Sequence, residues 1–246
     1  MTVFVAGATG ATGRLLVREL LDRGQEVRAV VRSPDRLPAE LRAREGLSMI
    51  HANLLELDHD ELTRHVIGCE GVASCLGHNL TWRGMFGPPR RLVTDATRRL
   101  CAAIRAAEGP RPTRFVLMNT NGHRNVDLNE RRSFGDGLVI ALLRHVLPPQ
   151  RDNEEAAEFL RVGIGRDDPA IEWAAVRPDN LVDEAEVTAY ETHPSPTRGV
   201  IFGAGRTSRV NVAHFMATLL TGGDAWREWR GGMPVIYNAP GRERRP

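Results

Sequence analysis

The sequence contains no lysine: all 33 of its basic residues are arginine. A genome that favours arginine codons is the simplest cause, but the chemical consequence holds regardless. Schiff-base catalysis, a P-loop lysine and any lysine-dependent catalytic pair are excluded. Cysteine is scarce too. Cys69, Cys75 and Cys101 form no C-x-x-C pair and are too scattered for a disulfide framework. No apolar run approaches the roughly 18 residues that a membrane span needs. The opening residues Met1-Thr2-Val3-Phe4-Val5 lack a basic segment and run straight into glycines, unlike a secretion signal. With 33 basic against 31 acidic residues, the net charge of +2 leaves no cationic surplus for nucleic acid. The expectation is a cytoplasmic protein that binds neither membrane nor nucleic acid.

What is present suffices for a core: 41% of the 246 residues are apolar, suiting one larger α/β domain. Short apolar runs at Val3–Ala6, Val27–Val31, Leu47–Ile50, Gly71–Leu76, Arg114–Met118 and Ile171–Val176 read as strands, with Gly199–Phe202 a further candidate. Helical spacing follows Thr12 (Leu16, Val17, Leu20, Leu21) and is closed by Gly24. It recurs at Pro34–Arg44 behind Ser33 as N-cap, at Asp58–His65, at Leu92–Ala107 and at Leu138–Leu147. Two more helices are expected: Asn153–Val162, capped by Asp152 with Glu155 three residues on, and Asn211–Leu220. The Arg90-Arg91 and Arg98-Arg99 pairs read as a solvated helix face, and the tail from Gly241 to Pro246 as frayed. This alternation predicts a doubly wound parallel α/β sheet, a single domain over residues 1–246. Loops 77–89 and 119–137 exceed what such a sheet needs and follow strand C-termini. They are either substrate covers or surface loops.

The informative motif is Gly7-Ala8-Thr9-Gly10-Ala11-Thr12-Gly13, a G-x-x-G-x-x-G run between the first strand and the first helix. In that setting Gly7 makes the tight turn and Gly10 admits a pyrophosphate to the backbone. Gly13 lets helix and strand pack closely, and the helix N-terminus faces the phosphates. The second strand ends in Arg32-Ser33-Pro34-Asp35-Arg36, where an NAD-binding protein usually carries a carboxylate for the ribose hydroxyls. Guanidinium groups at Arg32 and Arg36, with Ser33, suit a 2′-phosphate that a carboxylate would repel. NADP (NADPH) is therefore the expected cofactor.

With these residues in view, the chain resembles the atypical, extended-type short-chain dehydrogenase/reductases. This group includes NmrA-like proteins and the biliverdin-IX-beta/flavin reductase type. The resemblance rests on the glycine loop, Val30-Val31-Arg32-Ser33, His51-Ala52-Asn53-Leu54-Leu55, Cys75-Leu76-Gly77, Phe115–Thr120, Trp173–Leu181 and Arg209–Met216. It implies a Rossmann-type fold, with Asn53 and Leu54 against the adenine and Cys75, Leu76 and Gly77 beside the cofactor. It further implies Arg177-Pro178 by the nicotinamide, Asn119 and Asn153 at its ribose or amide, and a C-terminal region, 178–210, on the substrate side. A small-molecule substrate is implied, and a homodimer is left open.

The departures bear on chemistry. Asn53 replaces the family's usual aspartate, and Asn119-Thr120 its Ser-Ser or Ser-Thr. Where Tyr-x-x-x-Lys belongs, the chain reads Pro148-Pro149-Gln150-Arg151-Asp152-Asn153-Glu154, and Tyr190 and Tyr237, the only tyrosines, have no lysine four positions on. The tyrosinate acid/base of the main branch is absent. Thr120 stands in the family's hydroxyl position as substrate polariser or as a strand-capping hydroxyl. His78 and His123, on the two long loops, are candidate proton donors or solvated polar residues. Trp82, Met85 and Phe86 either cover a flat substrate or are buried under their own loop. No metal-ligand spacing is present. Three functions remain: an oxidoreductase acting without Tyr–Lys, an NADP-binding sensor or scaffold, and a non-redox isomerase or cyclase.

Overall fold

The computed structural model describes residues 1–78, 87–130, 148–199 and 203–240. The first half runs β1 (Thr2–Ala6), α1 (Ala11–Asp22), β2 (Glu26–Val31), α2 (Ala39–Arg42), β3 (Leu47–His51), α3 (His59–Val66), β4 (Gly71–Ser74), α4 (Leu92–Ala106) and β5 (Thr113–Met118). The second half carries α5 (Pro148–Glu158), β6 (Ile171–Pro178), β7 (Asn180–Val182), β8 (Tyr190–His193), β9 (Arg206–Ser208), α6 (Arg209–Thr221), α7 (Asp224–Trp229) and β10 (Val235–Asn238).

Eight strands form one sheet in the order β3-β2-β1-β4-β5-β6-β10-β8, while β7 and β9 pair as a separate ribbon. All the pairings in the main sheet are parallel except that of β8 with β10. The chain winds outward from β1 to β3 and then returns to β4 on the other side of β1. This leaves a switch point between β1 and β4, where open α/β sheets bind ligands beyond the strand C-termini. The Rossmann-type, doubly wound expectation holds.

The period-two geometry of a strand explains the layers. On β1, Val3 and Val5 join the core built by Leu16, Val17 and Leu20 of α1 and by Val212, Phe215, Met216 and Leu219 of α6. Phe4 and Ala6 point the other way, into the layer of Leu62 (α3), Val93, Leu100 and Ile104 (α4), and Ala156 and Ala157 (α5). On β5, Arg114 reaches under α6 and donates to the carbonyls of Leu220 and Gly222 at 2.8 and 3.0 Å. It thereby satisfies carbonyls that the helix end leaves open. Among the described residues no helix is long and apolar enough to cross a membrane.

Several local expectations change. The helix expected over Pro34–Arg44 breaks into a 3-10 turn at Pro34–Arg36 and the short α2. Pro38 forces Leu37 into an extended conformation (φ −83°, ψ 136°) between them, and Ser33 makes no side-chain cap. The strand expected to reach Leu76 ends at Ser74. Among the described residues α5 already covers Pro148–Glu158, upstream of the start expected at Asn153. Asp152 therefore lies inside the helix and does not cap it. The last turns, Phe159–Ile164, are π-helical. The short strands β7 to β10 and α7 had no sequence-based expectation. The helix expected at 138–147, Trp82, Met85, Phe86, residues 200–202 of the candidate strand, and the tail from 241 lie outside the described residues.

Candidate functional site

The glycine loop leaves β1 as expected. Gly7 has φ +81°, and a side chain there would lie 2.6 Å from the carbonyl carbon of Cys75 in the segment after β4. A side chain on Gly13 would run into the Gly7 carbonyl oxygen. The loop closes on itself through Gly10 N–H to the Gly7 carbonyl at 2.9 Å. Helix α1 then starts with Gly10 as N-cap, no side-chain cap and no acidic residue in its first turn. Around Thr9, Ala11 and Thr12, the backbone N–H groups of the first turn lie at the positive end of the helix dipole, and the turn carries no acidic side chain of its own. This cradle fits a pyrophosphate.

Arg32, Ser33 and Arg36 are exposed at the end of β2. The carboxylate of Asp35 is engaged by Arg42 at 3.0 Å. Neither Arg32 nor Arg36 forms an ion pair among the described residues. After β3, Asn53 shapes its own turn, giving Nδ2–H to Glu56 at 2.8 Å and accepting Leu55 N–H at 3.3 Å. Leu54 is buried in the α3–α4 layer, so its side chain faces the core.

Past β4, Cys75 donates its backbone N–H to Ala6 at 2.9 Å, which ties this segment to the glycine loop. Its thiol turns towards Met216 of α6 and is pushed up to about 12 by burial, so it stays protonated. Leu76 is half-buried and Gly77 exposed. His78 places Nε2 at 2.8 Å from Asp152 Oδ2 of α5, with both side chains almost fully buried. Asp152 is the residue that sequence reasoning misassigned. A usable signal existed, since α4 starts at Leu92 behind Arg91 with no Ser, Thr, Asp or Asn to cap it. A helix start without a local cap calls for an acceptor from elsewhere.

At the end of β5, Asn119 donates Nδ2–H to the Asn153 carbonyl at 3.0 Å and accepts Thr120 N–H at 2.7 Å. Asn153 gives its Nδ2–H to the Pro149 carbonyl at 2.9 Å. These two asparagines brace the strand end against α5. Thr120 is half-buried and its Oγ accepts Gly122 N–H at 3.2 Å, which leaves its own hydroxyl proton to donate. His123 is placed differently. It lines an outer groove of about 950 Å³ with Arg98, Arg124, Glu154 and Glu158, and no glycine-loop residue borders that groove.

Arg177 also has a different role from the one the resemblance implies. Its side chain is fully buried and paired with both oxygens of Glu130, at 2.7 and 3.0 Å. The remaining donors reach the carbonyls of Met233 (2.7 Å), His123 (3.0 Å) and Pro194 (3.0 Å). All five guanidinium N–H groups are engaged, so none is left for a nicotinamide. Pro178 is buried and accepts Asn121 N–H at 3.1 Å. Next to it Asp179, which the sequence reading did not single out, accepts N–H groups from Gly205 and Asn180 at 2.7 and 3.0 Å. Burial pushes its carboxyl above the ordinary value. Burial raises both tyrosine hydroxyls; Tyr190 lies on β8, hydrogen-bonded to His214 at 2.8 Å, and Tyr237 is fully buried on β10.

Residues 7–222 match the family model described as NAD(P)H-binding. Among curated proteins, the chain is 29% identical over 234 residues to Protein TIC 62, chloroplastic, of Pisum sativum, covering 88% of this chain and 40% of that protein. It therefore spans well under half of that relative's length. A short-chain dehydrogenase/reductase (wide type) from Veillonella parvula, solved with NADP, superposes with a TM-score of 0.68 at 16% identity, covering 98% of this chain and 95% of that one. ChuY, named an anaerobillin reductase, from Escherichia coli O157:H7, superposes over 100% of both chains with a TM-score of 0.67 at 16% identity. The chain belongs to the NAD(P)H-binding family and has a Rossmann-type α/β fold.

Proposed function

We propose that the protein is an NADP-dependent oxidoreductase that reduces a small conjugated or carbonyl substrate without a Tyr-x-x-x-Lys pair. The observation that carries the cofactor preference lies at the end of β2. There two exposed arginines, Arg32 and Arg36, stand where a ribose-reading carboxylate belongs, and the nearby Asp35 is held by Arg42. A bidentate guanidinium suits a 2′-phosphate. When bound, the reduced nicotinamide supplies the hydride. The chain's own residues do the rest. The N-terminus of α1 holds the pyrophosphate, the β5 end presents the Thr120 hydroxyl to polarise the acceptor, and His78 provides a proton. Of the segments assigned to the substrate side, residues 77–78, 87–89, 119–130, 178–199 and 203–210 are described, and the substrate is a small molecule. The reductase named among the structural relatives and the one solved with NADP support this reading.

The test is to load the purified protein with NADPH and follow the reduced-nicotinamide absorbance against quinones, flavins and enones. Loss of absorbance with at least one class is expected. Tight binding without oxidation by any of them would overturn the oxidoreductase reading in favour of an NADP sensor, which the engaged tyrosines and the missing lysine also fit.

A further inference from the structure

Helix α4 begins without a cap of its own, because Arg91 offers no acceptor at the N-cap position. The acceptor arrives from α5. Asp152 Oδ2 takes Val93 N–H at 2.8 Å and Oδ1 takes Thr94 N–H at 2.9 Å. The Thr94 hydroxyl in turn donates to the Asp152 carbonyl at 2.9 Å. A carboxylate clamped this way is ionised and has little freedom to turn. The same Oδ2 lies 2.8 Å from His78 Nε2. His78 comes four residues after β4, the strand beside the glycine loop and on the far side of the switch point from β2. The pair thus joins the segment after β4 to α5, the helix that covers the stretch where Tyr-x-x-x-Lys belongs.

We propose that His78 and Asp152 form the proton-donating pair of this site, His78 giving up the proton and Asp152 acting as its positioning residue. This rests on the reductase reading above. Asp152 keeps the hydrogen on Nε2 and stabilises the imidazolium against the cost of its burial. As the hydride reaches the acceptor carbon, a new C–H bond forms and the carbonyl π bond opens towards oxygen. That oxygen takes the proton from the imidazolium and becomes a hydroxyl. The acceptor gains two electrons, the nicotinamide loses two, and neutral His78 recovers its proton from water. Among the described residues of the surrounding elements, several charged groups have partners of their own. Arg91 and Arg151 both pair with Glu155 at 2.8 Å, and Glu154 accepts from Gln150 at 3.0 Å. Cys75 stays a thiol, and His123 lines the outer groove.

The test uses the full chain labelled with ¹⁵N-histidine, the His78 ring signals being identified by their loss in His78→Gln. Ring titrations are compared between the parent and Asp152→Asn. The parent is expected to show the Nε2–H tautomer and an imidazolium that persists at least about one pH unit higher than in Asp152→Asn. With NADPH and an acceptor that turns over, the alkaline limb of kcat shifts down by the same interval in Asp152→Asn, while NADPH affinity is kept. His78→Gln, which leaves both bonds to α4 intact, lowers kcat by about tenfold or more and removes the limb. A His78 titration indifferent to Asp152→Asn, or an alkaline limb surviving His78→Gln, overturns the pair alone. Tight NADPH binding with no acceptor reduced overturns the reductase reading and the donor role together, whatever the ring titration shows.

Discussion

The two halves of the sheet's C-terminal rim are built in opposite ways. At β1 and β2 the working features are omissions: no side chain on Gly7 or Gly13, no cap on α1, no carboxylate at Arg32. At β4, β5 and β6 the working features are buried polar groups, each held by partners distant in sequence. Arg177 holds Glu130 and three carbonyls, and Asp152 holds α4 and His78. The first edge is shaped to receive an anion, so its groups are left unpaired for it. The second edge must keep its geometry in the absence of any ligand, so its charges are satisfied internally. Substitution of Arg177 or Glu130 on the second edge should therefore act mainly on stability, and substitutions on the first edge mainly on binding.

The largest expected effect is at the buried ion pair. Glu130→Ala strands the Arg177 guanidinium and should lower the unfolding free energy by about 3–5 kcal/mol in a denaturant titration. Gly13→Ala comes next. The added methyl meets the Gly7 carbonyl, which should cost about 1–3 kcal/mol and displace the loop. Unlike Glu130→Ala, it should abolish nucleotide binding under conditions where the protein remains folded. If Gly13→Ala bound NADPH normally, the contrast between the edges would break at its firmest point.

How far the sequence revealed these edges follows from the same contrast. The glycine loop, the β1–α1 junction and Arg32 are local signals, carried by residues within a few positions of one another. The doubly wound parallel sheet followed from strand–helix alternation and the handedness of crossovers, whereas the order of its strands is a finding of the structure. Asp152 was misread because an acid three residues before Glu155 has the spacing of a capping box, whereas its acceptors serve a helix start some 58 residues earlier. Arg177 was misread because the resemblance gives position, not the partner that neutralises it. Glu130 lies 47 residues away, in a loop with no periodic pattern. The strands β7 to β10 hold only three or four residues each, too few to show alternation.

Asp152→Asn should have an intermediate effect, about 1–2 kcal/mol, comparable to the loss of a helix cap. Its sign with pH is fixed by geometry. Burial opposes ionisation, but hydrogen bonds from His78, Thr94 and Val93 outweigh it and hold the carboxyl below its ordinary value of 3.8. The stabilisation is therefore complete above that value and is lost as pH falls through it towards the depressed folded value. Acid unfolding monitored by circular dichroism should be shallower in Asp152→Asn over that interval. The smallest effect belongs to Cys75. With its thiol near 12, iodoacetamide at pH 8 should leave it unmodified, although its backbone borders the nucleotide loop. Rapid labelling of the native protein would show that this border is more open than the packing against Met216 allows.

The central claim is that the β2 end receives a 2′-phosphate through Arg32, and calorimetric titration with NADPH and NADH addresses it directly. The parent protein should bind NADPH at least about tenfold more tightly, the scale of one charge-assisted contact. Arg32→Ala should erase most of that difference while leaving NADH affinity unchanged. Equal affinities in the parent protein, or a preference that survives Arg32→Ala, would contradict it.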